Sequence, residues 1–375
     1  MVSVMDVRVE GSSVIFESEA NHGLKVTFHR TLRLPEDGKK HRLPPSLGAF
    51  PIKRVDDYKD KVPAAWAEHG GVFFPMWQRE AMWMSFGGEP TAVKVAAGKV
   101  NAVSGKPWNK ELAASQSGGK DPIQDYLVAN PQPWLDGFNV GDGVIKQFVA
   151  MPLGMGYSVE GQVTGKEEFG GLQLLVVPSK EGKIPRRTSQ SRSVMAEVHD
   201  GSVSFASSSN NSWGDQVLRS ASTRSRAMGS SVGEEQAVTV NFTKAAEMGL
   251  AMGGQMEQKI YPDPYGIDVW DQAKAGKLFV HIVNSQMYEQ ITGEKPPASP
   301  ITAQTYAQHG YPWFALYDEH MGDVPKSETL SGVKTLSEMD KTKGFEGQQD
   351  DSPIEEKSVI GYHVHKPGAV RNGTW

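Results

Sequence analysis

The chain has 375 residues, 38% hydrophobic and 22% charged, with a net charge of −5, 40 glycines, 23 prolines and no cysteine. That composition sustains a packed core, and the missing cysteines exclude disulfides, thiolate metal sites, iron–sulfur clusters and a cysteine nucleophile. The acidic balance disfavours a general nucleic-acid role, which needs a basic surplus against phosphate, and no stretch nears the ~20 apolar residues of a membrane span.

Along the chain, residues 4–34 alternate apolar and polar side chains (Val7, Val9, Val14, Phe16, Leu24, Val26, Phe28) around Gly11 and Gly23, which predicts a β-hairpin. The first ten residues lack the basic start and continuous apolar run of a secretion signal, so the cytoplasm is the expected location. A proline-rich connection over 35–51 is expected to run extended, pinned by Leu43, Leu47, Phe50 and Ile52. Residues 71–86 are the most apolar stretch: a strand at 72–74, then a helical turn or second strand. A strand is expected at 91–95 and short helices at 110–114 and 122–128.

Residues 144–178 read as an antiparallel meander that includes Tyr157, Val159 and Val163. The segment 179–236 is rich in Ser and Arg, and reads as an insertion with short strands at 194–198 and 203–205. Further strands are expected at 238–242, 255–261 and 278–283. Helical texture follows at 285–292, 302–308, 313–318 and 327–339, and a last strand at 359–365. The expected class is α+β: a large antiparallel β-sheet assembly, sandwich-like or partly closed, with helices gathered in the C-terminal third. The division expected is a β-rich core over 1–283, a helical segment over 284–340 packed on it, and a polar tail over 341–375.

The motifs that would fix a chemistry are incomplete. The glycine–lysine stretches 98–106 and 161–166 lack the spacing and the Ser or Thr of a phosphate loop. Gly229-Ser-Ser-Val-Gly233 has the spelling of a nucleophile elbow without an apolar strand before it. Asp263, Asp268 and Asp271 crowd one turn-rich stretch. They are candidate ligands for a divalent metal, or equally turn-forming aspartates. His281 interrupts an apolar strand, as a core histidine or as a catalytic partner of Asp268. His363 and His365, two apart in a strand, would face the same side. Phe73, Trp77 and Trp83, with Arg186 and Arg187, are candidate interface residues, though the aromatic stretch reads equally as core.

Leu43-Pro-Pro-Ser-Leu-Gly-Ala-Phe-Pro51, Tyr261-Pro-Asp-Pro-Tyr-Gly-Ile-Asp-Val-Trp-Asp271 and Tyr311-Pro-Trp-Phe-Ala-Leu-Tyr-Asp-Glu319 resemble stretches of an uncharacterised bacterial hypothetical-protein family with no assigned function. The resemblance implies no activity, cofactor or site residue. The residues themselves leave two expectations: a non-enzymatic assembly or binding protein, its partners copies of itself, or a hydrolase using carboxylates with a histidine or divalent metal.

Overall fold

The computed structural model describes residues 4–18, 21–114, 124–184, 196–197, 247–308, 312–317, 321–345, 354, 356 and 359–363. The N-terminal alternation folds as three antiparallel strands rather than a single hairpin: β1 (Asp6–Glu10), β2 (Ser13–Ser18) and β3 (Asn21–Thr31). One face carries Val14, Phe16, Leu24, Val26 and Phe28, all fully buried. On the edge strand, Arg8 pairs with Glu10 and Glu17, charges that discourage pairing with another sheet. The proline-rich connection lies extended as expected. Its residues 47–50 take the place beside β3 that β2 has left: Leu47 N–H donates to Arg30 O, Arg30 N–H to Gly48 O and Phe50 N–H to Phe28 O.

The remaining strands are β4 (Lys40–His41), β5 (Lys53–Arg54), β6 (Val72–Met76), β7 (Ala81–Gly88), β8 (Thr91–Ala97), β9 (Val100–Asn101), β10 (Leu127–Ala129), β11 (Trp134–Leu135), β12 (Gly137–Gly141), β13 (Val144–Pro152), β14 (Leu172–Val177), β15 (Ala196–Glu197), β16 (Met248–Glu257), β17 (Gly276–Asn284), β18 (Trp313–Tyr317) and β19 (Val359–His363). The helices are α1 (Ala64–His69), α2 (Val159–Thr164), α3 (Ser285–Thr292), α4 (Ala303–Gln308), α5 (Glu328–Ser331) and α6 (Leu336–Thr342). A nine-stranded sheet runs β1-β2-β3-β7-β13-β16-β4, with β11 on β7 and β12 on β13. A seven-stranded sheet runs β10-β8-β14-β17-β6-β5, with β9 on β8, and β15-β19-β18 form a third, small sheet. Most pairs are antiparallel; β4 on β16, β6 on β17 and β18 on β19 are parallel. The architecture is α+β and sheet-rich, as the sequence predicts.

The two large sheets share one apolar core. Phe28, Met82, Met84 and Phe148 come from the nine-stranded sheet, and Phe74, Val95, Leu174 and Ile282 from the seven-stranded one. Their outer faces are covered locally. Ala81, Val149 and Ala251 pack under Tyr157 and Leu336, while Phe73 and Val283 pack under Trp66, Tyr288 and Ile291. No helix among the described residues is long and apolar enough to cross a membrane.

Several local expectations are corrected. Val159 and Val163 lie on α2, not on a strand, because Ser158 caps a helix there, its Oγ accepting from Gly161 N–H at 3.0 Å. Residues 110–114 are not helical: Ala113 N–H is held by the Asp125 carboxylate instead of a helical carbonyl. Within 122–128, residues 127–128 belong to β10, paired with β8. Residues 313–317 form a strand, not a helix, because β19 pairs with them from far along the chain. The strands expected at 203–205 and 238–242 lie outside the described residues.

One buried acid couples this fold to pH. Asp136, between β11 and β12, donates its N–H to Gln258 Oε1 (3.1 Å) and accepts Gln258 Nε2–H on Oδ2 (2.7 Å). Burial pushes its carboxyl up to about 7, against the pull of the Gln258 hydrogen bond. A raised carboxyl pKa means the folded state holds the proton longer, so stability falls as pH rises from the ordinary carboxylate value toward 7. Asp136→Asn, which keeps an acceptor for Gln258 and carries no charge, is expected to gain about 2–4 kcal/mol over the parent at pH 8 relative to pH 4. Urea unfolding at the two pH values reads the difference.

Candidate functional site

The strand register assembles a polar and aromatic patch on the outer face of the nine-stranded sheet. His29 stands opposite Trp83, Thr27 opposite Ser85, and Trp134 opposite Ser85 from the other side. Directly paired residues share a face, so these five side chains lie together, opposite the core face of Phe28, Met84 and Phe86. The His29 ring stacks on Trp83 with centroids 4.0 Å apart and planes 12° from parallel. Trp134 meets Trp83 edge-on at 6.3 Å. Trp83, Ser85, Trp134 and Ser46 are half-buried, Lys25 is exposed, and His29 is buried.

Both ring nitrogens of His29 meet serine hydroxyls: Nε2 with Ser85 Oγ at 2.8 Å and Nδ1 with Ser46 Oγ at 3.1 Å. Ser46 Oγ also accepts Gly48 N–H at 3.2 Å, and one lone pair remains for Nδ1–H. Either tautomer of the neutral ring satisfies both contacts, one nitrogen donating to its serine and the other accepting. Beside them, Ser13 Oγ and Thr27 Oγ1 lie 2.7 Å apart. The Trp83 indole Nε1–H is out of solvent with no acceptor among the described residues. Burial, with Lys25 nearby, pushes the His29 pKa down to about 4. The ring is therefore neutral at physiological pH, between two hydroxyls and against an indole.

His281 is a different kind of residue. It lies on β17, its Nε2–H donates to Gly70 O at 3.0 Å, and its ring stacks on Trp66 at 4.6 Å and 18°. His69 stacks in turn on Phe279 at 4.4 Å. Burial pushes His281 to about 4, outweighing the hydrogen bond to Gly70. Both His29 and His281 have depressed pKa values, so each favours folding above its ordinary value near 6.5 and withdraws that contribution as pH falls toward 4. The expected loss is about 3 kcal/mol for each histidine between pH 7 and 4. The variants His29→Gln and His281→Gln should each flatten this acid limb in denaturant titrations.

The three aspartates do not form a metal cage. Asp263 Oδ2 accepts from Tyr126 OH (2.6 Å) and Trp270 Nε1–H (2.8 Å), while Oδ1 accepts Tyr265 N–H. Asp271 lies 3.6 Å from Lys274, and Asp268 is exposed, its backbone carbonyl accepting from Lys180. Among the described residues no group of three histidine or carboxylate side chains is placed to hold a metal. Asp263 is thus a staple that fixes the turn. The pairing of Asp268 with His281 is not made either: His281 contacts Gly70, Trp66, His69 and Phe279.

Of the candidate interface residues, Phe73 is fully buried against Trp66 and Tyr58 and belongs to the core. Trp77 is half-buried, its Nε1–H donating to Pro297 O at 2.8 Å. Trp83 stands in the outer patch. Arg186, Arg187, the serine of the 229–233 motif and His365 lie outside the described residues. His29, Ser46, Ser85 and Trp134 escaped the sequence reading. The available signal was the polar residues at every second position of two apolar strands, which only the register between the strands brings together.

No family model matches the chain, and neither a curated protein nor a solved structure matches it.

Proposed function

We propose that the protein is a non-enzymatic binding protein whose outer β-sheet patch takes a neutral, hydroxyl-rich ligand of the saccharide class. The observation that carries this reading is the register-built face itself: serine hydroxyls and a neutral imidazole beside two indoles. Apolar C–H faces of a sugar ring stack on an indole, and its hydroxyls exchange hydrogen bonds with serine hydroxyls, which both donate and accept. A neutral His29 suits an uncharged ligand.

A second reading rests on the 2.8 Å contact between Ser85 Oγ and His29 Nε2, the contact of a serine nucleophile with its base. Ser85 lies inside a strand paired on both sides rather than in a strained strand-to-helix turn. The depressed His29 pKa also makes a weak base. Binding is therefore the preferred reading. As for self-association, the large apolar side chains exposed among the described residues are Val4 and Val7 near the N-terminus, Tyr265 and Phe345.

Calorimetric titration with a panel of neutral oligosaccharides tests the proposal. A ligand is expected, and Trp134→Ala should weaken it about tenfold or more, ~1.4 kcal/mol of stacking energy. Reaction of Ser85 with a fluorophosphonate, with no saccharide bound, would instead favour the hydrolase.

A further inference from the structure

His41 occupies an arrangement unlike that of the other histidines described. It lies on β4, buried, and each of its ring nitrogens meets a carboxylate: Nε2 meets Asp37 Oδ1 at 2.9 Å and Nδ1 meets Glu356 Oε1 at 3.1 Å. A carboxylate oxygen only accepts, so both nitrogens must carry protons for both bonds to form, and the ring is an imidazolium. Asp37 belongs to the connection before β4, whereas Glu356 comes from more than 300 residues further on. Glu356 is also fixed by Arg42 N–H, at 3.0 Å from the same Oε1. On either side of Glu356, Ile354 and Val359 pack against the main core, and Val359 opens β19.

The other charges around this contact are accounted for. Lys39 lies 4.0 Å from Asp37 Oδ2, and the Arg42 guanidinium is paired with Glu257 at 2.6 Å. Neither cation offers Glu356 a side-chain substitute for His41. Loss of the imidazole proton would leave one of the two carboxylates facing a ring lone pair, with a backbone N–H as its remaining hydrogen-bond donor: Lys39 N–H for Asp37 or Arg42 N–H for Glu356.

We propose that His41 is a pH-sensitive latch, holding the C-terminal segment at Glu356 while protonated and releasing it when neutral. The electrostatics agree with the geometry: burial pulls His41 down, but the hydrogen bonds to Glu356 and Asp37 outweigh it and its pKa is raised. A raised histidine pKa gives docking that is complete below the ordinary value and is lost as pH rises through the docked value. The segment is therefore held at mildly acidic to neutral pH and loosened in alkali. Each unit by which docking raises the pKa corresponds to about tenfold weaker docking at high pH.

Hydrogen exchange on the full chain, corrected for the intrinsic effect of pH, tests the latch between pH 6 and 9. Peptides containing Ile354 and Val359 should lose about tenfold or more of their protection, while those of β13 keep theirs. Glu356→Gln should move the midpoint to lower pH, since it removes one of the two charges that hold the proton. His41→Gln should leave the segment weakly protected at every pH. Protection that stays constant from pH 6 to 9, or a Glu356→Gln midpoint equal to that of the parent, overturns the proposal. Because Glu356 is only partly buried, that variant remains informative even where His41→Gln fails to fold.

Discussion

Replacing Lys94 by alanine is expected to lower the stability of the protein by about 3–5 kcal/mol, the range found when one partner of a buried ion pair is removed. Lys94 points from β8 away from the main core, and its side chain is 1% exposed against 3% for Asp125. Its ammonium lies 2.7 Å from Asp125 Oδ2 and 2.6 Å from Glu111 O, and it also donates to Asn109 Oδ1. Three donors thus meet three acceptors, and the cation is also 5.7 Å from the Trp108 ring centre. Without the ammonium, Asp125 is left buried with Ala113 N–H, 2.8 Å away on Oδ1. The pair ties residues 108–114 to the seven-stranded sheet. The double variant Lys94→Met with Asp125→Asn, which removes both charges, should recover most of the loss. Urea unfolding of the two variants separates an unpaired charge from lost packing: an equal loss in both would assign the effect to packing.

The second large effect is expected at Gly71. Its φ is +92°, and a Cβ there would sit 2.1 Å from the carbonyl oxygen of Phe279. That oxygen belongs to β17, alongside which β6 runs in parallel, so neither partner can withdraw without opening the sheet. Gly71→Ala should therefore cost about 3 kcal/mol or more, combining the strain of a left-handed alanine with a backbone clash. It should also disturb the contact of His281 with the neighbouring Gly70 carbonyl. Gly87→Ala makes the control, since nothing lies within 4 Å of a Cβ at Gly87. A change within about 0.5 kcal/mol is expected there. Equal losses at the two glycines would mean that the close approach to Phe279 O does not govern the effect at Gly71.

The sheet-rich class was legible because alternation in β2, β3 and β13 is strong, and because glycines punctuate the strands. The helices after residue 284 were legible in part: α3 follows a capping Asn284 whose side chain accepts Gln286 N–H, a signal visible in the sequence. The strand at 313–317 was not, because its order comes from β19 and not from its own periodicity. Tertiary pairing overrode local texture there. The same holds for the sites. Clustering in sequence drew attention to Asp263, Asp268 and Asp271, but proximity along a turn is what a structural staple also produces. Meanwhile His29, Ser85 and Trp134, more than a hundred residues apart at the extremes, meet only through the register of β3, β7 and β11, and Ser46 joins them from the connection that runs beside β3. The His41 contact spans more than 300 residues, beyond any local pattern.

The outer patch also explains a choice of residues that burial alone leaves unmotivated. A sheet face needing only cover would take aliphatic side chains, as Ala81, Val149 and Ala251 do under Tyr157 and Leu336. Two residues further along β7, the same face carries an imidazole, two indoles and serine hydroxyls. Polar groups so placed need partners, and His29 finds both of its own within the patch.

The most direct test is the indole N–H spectrum of the isotopically labelled protein during titration with neutral oligosaccharides. The account predicts that the Trp83 and Trp134 resonances shift together and saturate, while those of Trp66 and Trp270, bonded to Glu247 and Asp263, stay in place. Trp83 and Trp134 signals that remain fixed across the panel would contradict it.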